Sequence, residues 1–272
     1  QRPRATFMAG GSGAGKSTVK RAITERGELP KHYVDIDPDG IKEMLPEYQT
    51  LLDAGERGAA MLVHEESSDI AKMVLNEAEA RRFNVVIDGT GNAEPGKFVG
   101  KLLKQDGAGY DVDVIVVDVK TAEAVSRAMV RAERSGRYVP ESVIRQIHRD
   151  VSMRFDEWQD IDAVKRWQVW ANDERPPRLI ASGARGGLNV EDRDRFLAFL
   201  RKADESLERP DTPVTGTYTA KMRPQYVPQE AQDEALEALG RLPGPLPDRA
   251  LQRIKGLPDE SLPVRSVLSL DE

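Results

Sequence analysis

The chain has 272 residues, enough for one large domain or for a domain with an appendage. Hydrophobic residues make up 39% and charged residues 32%, so a core can form beneath a well-solvated surface. The formal net charge of −6 argues against a nucleic-acid surface, and the absence of cysteine excludes disulfides, thiolate metal sites and cysteine nucleophiles. No apolar run approaches the length of a membrane span and no secretory signal opens the chain, so the expected setting is cytoplasmic with no membrane partner. The first residue is Gln1 rather than Met, which reads as a piece of a longer protein.

Ala5 to Ala9 (ATFMA) is a short apolar run that predicts a buried strand. It leads into Gly10, Gly11, Ser12, Gly13, Ala14, Gly15, Lys16, Ser17 and Thr18, which fit G-x-x-x-x-G-K-[ST]. Val19 to Gly27 then reads as a helix. Strand, glycine loop and helix are the context this motif needs for its N–H groups to surround phosphate oxygens. Lys16 can reach the β- and γ-phosphates, and the Ser17 hydroxyl can hold Mg²⁺. A plain glycine-rich turn would not need Lys-Ser after its last glycine.

His32 to Ile36 predicts a second strand. Asp37 is a natural N-cap for a short helix that starts at Pro38 and runs to about Leu45. Glu56 to Arg82 has a long helical stripe of Met61, Leu62, Ile70, Met73, Val74 and Leu75. Asn84 to Ile87 is a third strand, ending at Asp88-Gly89-Thr90-Gly91-Asn92. A helix over Lys97 to Gln105, a strand over Val112 to Val117 and an arginine-rich helix over Ala122 to Arg134 follow. Gly136 breaks the pattern, and a further helix runs from Pro140 to about Trp158.

Val164 to Ala171 alternates more, and with Arg178 to Ala181 predicts a late strand pair at the sheet edge. Asn189 to Leu207 reads as helix. Alternating strands and helices imply an α/β fold of P-loop kinase type. Its central sheet would be mostly parallel and sandwiched in three layers, with ligands at the strand C-terminal ends. Nine of the 17 prolines lie from Pro210 onward, so residues 208–272 are expected to form an extended tail. That tail, with one short helix over Gln229 to Leu242, would wrap the 1–207 domain or bind a partner.

Asp37 lies 21 residues after Lys16. A helix of about ten residues carries the chain roughly 15 Å from the loop, and a strand of about five returns it roughly 16 Å. A carboxylate there can take a proton from an attacking hydroxyl, or merely cap the helix; the two uses are compatible. Asp35, read as lying on the other strand face, is the weaker candidate. Asp88 closes an apolar strand and can reach Mg²⁺ or the acceptor. Thr90, between two glycines, lies where a ligand can approach the backbone. Arg127, Arg131, Arg134 and Arg137 surround a helix end, either as a lid over a transferring phosphoryl group or as a solvated face. His64 lacks well-spaced partner ligands, and His32 and His148 carry no motif. Trp158, Trp167 and Trp170 read as packing residues.

Taken in order, GGSGAGKST, YVDIDPD, the long acidic helix, VVIDGTGN and RAERSGRYVP resemble the zeta-toxin family of P-loop kinases, the toxins of epsilon–zeta toxin–antitoxin systems. The resemblance covers roughly two-thirds of the chain. It implies a Mg²⁺-dependent kinase that uses ATP or GTP to phosphorylate a sugar hydroxyl of UDP-N-acetylglucosamine, with an antitoxin as protein partner. It further implies Lys16 as phosphate ligand, Ser17 as Mg²⁺ ligand, Asp37 as general base, Arg131 and Arg137 as lid arginines, and Asp88 and Thr90 as acceptor-pocket residues. The chain departs from the pattern at three places. Asn92 stands where the UDP-sugar kinases usually carry arginine. Lys72 aligns with an acidic pocket residue, for which Asp69 one turn earlier can compensate. Asp88 is shorter than the usual glutamate.

Two other readings stay open from the residues alone. A polynucleotide or RNA kinase can share the loop, base and lid, but needs a basic track for its strand. A nucleotide-binding interaction module of a larger protein needs the loop but no base.

Overall fold

The computed structural model describes residues 2–56, 58–135, 138–184 and 187–204. In chain order the elements are β1 (Arg4–Ala9), α1 (Lys16–Glu25), β2 (Val34–Ile36), α2 (Pro38–Met44), α3 (Pro46–Asp53), α4 (Ala59–Leu62), α5 (His64–Ala80), β3 (Val85–Asp88), α6 (Lys97–Gly107), β4 (Asp111–Asp118), α7 (Thr121–Ser135), α8 (Glu141–Trp158), β5 (Val164–Ala171), β6 (Arg178–Ala184), β7 (Gly187–Val190) and α9 (Arg193–Arg201), with a 3₁₀ turn over Lys202–Asp204.

Among the described residues the strands form one sheet in the order β2-β3-β1-β4-β5-β6-β7. The five from β2 to β5 are parallel, and β6 and β7 run antiparallel to their neighbours. Nearly every successive residue of β1 and β4 is buried. Because neighbouring side chains on a strand point to opposite faces, this burial means that both faces of the sheet are covered. The result is the expected α/β fold.

The chain packs as two compact units with interleaved segments. The first contains the described parts of Gln1–Asp37, Met73–Arg127 and Ile144–Pro210. It holds the sheet and an aromatic cluster centred on Phe155, whose ring lies 5.1 Å from Trp158, 4.9 Å from Trp167 and 5.5 Å from Phe199. All three tryptophans are buried, as packing residues should be. The second unit contains the described parts of Pro38–Lys72 and Ala128–Val143. Its core gathers Leu45, Tyr48, Leu51, Ala59 and Val63.

Several boundaries differ from the sequence expectation. The helix expected over Glu56 to Arg82 is two helices, α4 and α5, divided at Val63. Val63 turns its side chain to the second unit's core with Ala59, and the Glu56 carboxylate accepts the Gly58 N–H at 2.6 Å at the start of α4. Ahead of it, Pro46 opens α3 at the first helical position. The motif's own Lys16 starts α1, three residues earlier than expected. β5 lies inside the sheet, not at its edge, because β6 and then β7 extend the sheet beyond it. The stretch expected to be helical from Asn189 ends β7 first. The helix begins only after Asp192, whose side chain accepts the Arg195 N–H at 3.0 Å. The tail and its helix over Gln229 to Leu242 lie outside the described residues.

Candidate active site

The site grows from the ends of three adjacent strands in the first unit. Ile36 of β2 pairs with Ile87 of β3, and Ile87 pairs with Phe7 of β1. The next residues along are Asp37 and Asp88, so the register places both carboxylates at one level of the sheet's C-terminal edge. Gly10 to Gly15 leave β1 at this same edge. Gly15 adopts φ +81° as the N-cap of α1, a left-handed conformation that glycine tolerates and that lets Lys16 enter the first helical turn.

Lys16 Nζ donates to Gly10 O at 2.9 Å and lies 3.4 Å from Asp88 Oδ1. Ser17 is exposed on the first turn of α1. Burial pushes the Asp88 carboxyl above its usual range. Lys16 pulls it back, and the negative charge of Asp37 adds to the rise. Burial also opposes the charge on Lys20, but hydrogen bonding to Asp35 and the charges of Asp35, Asp88 and Asp37 outweigh it, so its pKa rises. Asp35 meets Lys20 at 2.7 and 3.0 Å. Its expected placement on the opposite strand face is corrected: it lies two positions before Asp37, with only Ile36 between them, and a strand returns to the same face every second residue. Its carboxylate is committed to Lys20.

The loop after β3 is tied to the glycine loop. Gly10 N–H donates to Thr90 O at 2.8 Å, and the Thr90 hydroxyl bonds Asn92 Oδ1. Arg154 Nε donates to Ala93 O at 3.2 Å, and Glu157 Oε2 accepts the Gly96 N–H at 3.2 Å. Thr90 and Asn92 therefore sit on a loop held both to the glycine loop and to α8.

Behind the glycine loop lies a polar layer that sequence reasoning missed. His148, 3% exposed, places Nε2 3.0 Å from Ser12 O. Burial first, then the positive charge of Lys202, lowers its pKa to about 4. Asn172, 4% exposed, donates through Nδ2 to Ala14 O at 2.8 Å. Arg127 donates to Asn172 O at 2.9 Å and pairs with Glu123. Beneath them Lys202 and Arg195 both bind Asp118, at 2.6 and 2.8 Å, and Arg195 also binds Asp173 at 2.6 Å. Burial works against the Asp173 charge, but the Arg195 and Lys120 hydrogen bonds hold its carboxyl below the usual range. One signal for His148 was available. It shares a spacing of three and four residues with Ile144, Val151 and Phe155, which makes it a polar residue on an apolar stripe.

The remaining expected site residues fall elsewhere. Asp69 and Lys72 belong to the second unit, where they pair with each other at 3.7 Å. Arg131 lies on α7 within the second unit. Arg137 lies outside the described residues.

A glycine loop with Lys-Ser between a parallel strand and a helix, with acidic residues ending the neighbouring strands, defines a P-loop kinase fold. The sequence model of the zeta toxin family matches residues 1–179, and the chain belongs to that family. It is 29% identical to Toxin zeta of Streptococcus agalactiae over 89 residues, which are 33% of this chain and only 30% of that relative's length. In fold it is similar to a structure of the PezAT chromosomal toxin–antitoxin system of Streptococcus pneumoniae. The TM-score is 0.56 at 15% identity, covering 75% of this chain and 87% of that one. It is similar also to a structure of AvrRxo1-ORF1:-ORF2 with ATP, with a TM-score of 0.56 at 16% identity, covering 94% of this chain and 76% of that one.

Proposed function

We propose that the chain is a kinase that moves the γ-phosphoryl group of ATP or GTP to a hydroxyl of a small nucleotide-containing acceptor. A UDP-sugar such as UDP-N-acetylglucosamine is the acceptor best supported by the family likeness. The observation that carries the reading is the arrangement of Asp37 and Asp88 at one level of the sheet edge, with Lys16 3.4 Å from Asp88. In this reading the donor phosphates lie on the N–H groups of Gly10 to Thr18. Asp37 takes the proton of the acceptor hydroxyl as its oxygen bonds to the γ-phosphorus and the bond to the β-phosphate oxygen breaks. Lys16 neutralises charge spreading over the transferred group, and Arg131 and Arg137 are assigned the same task as lid arginines.

The exposed Ser17 hydroxyl and the Asp88 carboxylate are hard oxygen donors suited to Mg²⁺. Bound there with the nucleotide, the ion would neutralise charge on the β- and γ-phosphate oxygens. Thr90 and Asn92 are assigned to the acceptor. Asp69 and Lys72, already paired with each other, are assigned to the acceptor on the family likeness alone. Likeness to toxin–antitoxin structures supports a protein antitoxin as partner. Dependence on a nucleoside triphosphate supports a cytoplasmic setting.

The test incubates the protein with γ-labelled ATP or GTP and a panel of UDP-sugars, nucleotides and short RNAs, and identifies the labelled product by mass spectrometry. Phosphorylated UDP-sugar is expected. Label on RNA ends alone, or nucleotide binding with no transfer to any acceptor, would overturn the reading.

A further inference from the structure

Two buried side chains hold alternate carbonyls of the glycine loop from behind. The His148 ring reaches Ser12 O from α8, 136 residues along the chain. The Asn172 amide reaches Ala14 O from the end of β5, 158 residues along. We infer that His148 and Asn172 are positioning residues that aim the N–H groups of the loop for anion binding. The inference rests on the reading of Gly10 to Thr18 as the donor-phosphate site.

The physical reason is peptide planarity. In a trans peptide the C=O of one residue and the N–H of the next point in opposite directions. A donor that captures Ser12 O therefore turns the Gly13 N–H away from His148. The donor on Ala14 O does the same to the Gly15 N–H. Lys16 Nζ, on Gly10 O at 2.9 Å, completes the alternation by orienting the Gly11 N–H. Every second peptide plane of the loop thus has its carbonyl held. A loop rich in glycine is otherwise the most costly kind of backbone to order, because glycine loses most conformational freedom on fixing.

The supports also account for two glycines. Gly11 occupies a position that the motif leaves open. A Cβ there would stand 2.6 Å from both Cδ2 and Nε2 of His148, so only glycine lets the ring approach. A Cβ on Gly15 would strike Asn172 Nδ2. Loop and supports are mutually fitted.

The donor direction is settled by chemistry. A carbonyl oxygen only accepts, so the imidazole proton sits on Nε2, and the Asn172 amide must present NH₂ rather than oxygen to Ala14. Burial and the Lys202 charge keep His148 neutral, with a pKa of about 4, which leaves the ring one proton to place. Asn172 is itself held. Its N–H donates to Asp118 O at 2.8 Å and its carbonyl accepts from Arg127.

The test measures calorimetric binding of ATP and of inorganic tripolyphosphate, a probe that engages only the phosphate groups. It uses the full chain and its variants His148→Leu, His148→Gln, Asn172→Asp and Lys16→Ala, each checked by thermal melting. His148→Leu keeps bulk and loses the donor, whereas His148→Gln presents an amide N–H at similar reach. Asn172→Asp sets a carboxylate against Ala14 O; if it fails to fold, Asn172→Ser, which shortens the side chain away from Ala14, replaces it. His148→Leu and the Asn172 variant are expected to weaken both probes by about tenfold or more, and His148→Gln to stay within about threefold of the parent.

Parent-like affinity in folded His148→Leu and the Asn172 variant overturns the inference. So does a loss in His148→Gln equal to that in His148→Leu, since packing and not the donor would then be at work. If the parent binds both probes, Lys16→Ala abolishes binding and the variants behave as expected, yet no acceptor is phosphorylated, the transfer reading fails and this inference stands. If the parent binds neither probe, both fall.

Discussion

Lys16 Nζ stands 3.4 Å from Asp88 Oδ1, on a carboxylate whose proton affinity burial has already raised. Lys16 reaches this point from the first turn of α1, which follows β1, and Asp88 from the end of the neighbouring parallel strand β3, so the pair forms only once β1 and β3 are side by side. Lys16→Ala is expected to lower nucleotide affinity and kcat/KM by about 10²-fold or more, the scale of one lost charge-stabilising donor. Calorimetry and steady-state kinetics would check it.

Asp88→Asn separates stability from activity. A carboxyl whose folded pKa is raised contributes stability below its unfolded value of 3.8, and that contribution is gone once pH rises through the folded pKa. Burial disfavours the Asp88 charge, so Asp88→Asn, which keeps the shape without the charge, is expected to melt no lower than the parent while transferring phosphate much more slowly. A variant that melts well below the parent would contradict this.

Asp37→Ala is expected to abolish transfer, by about 10²- to 10⁴-fold in kcat, with ATP affinity within a few-fold of the parent. Single-turnover rates and calorimetry on the same preparation read both quantities. Full activity in this variant would remove Asp37 as the base.

His148 carries a stability signature of its own. Its folded pKa is depressed from 6.5 to about 4, chiefly by burial and next by Lys202. The folded chain therefore holds it neutral where the unfolded chain protonates it. This contribution is present above pH 6.5 and is lost as pH falls from there to about 4, amounting to about 3 kcal/mol in total. Urea melts over that range are expected to be measurably flatter in His148→Gln than in the parent.

Lys202→Met tests the buried charge layer. Lys202 bonds Asp118 at 2.6 Å and also the Val119 carbonyl, and both charged groups are almost fully buried. Removing the lysine leaves Asp118 paired, among the described residues, with Arg195. A destabilisation of about 3 kcal/mol is expected from urea denaturation, at the lower end for a broken buried pair because one partner remains.

Much of this was legible in the chain. Short apolar runs marked β1, β3 and β4, because strands of a doubly covered parallel sheet are apolar on both faces. The spacing from Lys16 to Asp37 placed the carboxylate at the right edge, since helix and strand lengths nearly cancel. Asp192 as the start of α9 and β7 as a strand were missed. A four-residue strand that is exposed throughout has no periodicity to betray it. The break at Val63 was missed because it depends on the core formed with Leu45, Tyr48 and Leu51, elements that sequence periodicity treats one at a time.

By itself the sequence determined the donor side of the proposed site. The glycine loop, Lys16, Ser17 and Asp37 are set by local spacing, and local spacing is what strand and helix geometry translate directly into position. Only the tertiary structure decided what stands behind the loop. His148 and Asn172 lie more than a hundred residues from the carbonyls they hold, and their burial comes from the packing of α8 and β5 against the first unit's core. A histidine without a motif comes to lie against Ser12 O because the fold buries it beside a loop whose Gly11 leaves room for its ring.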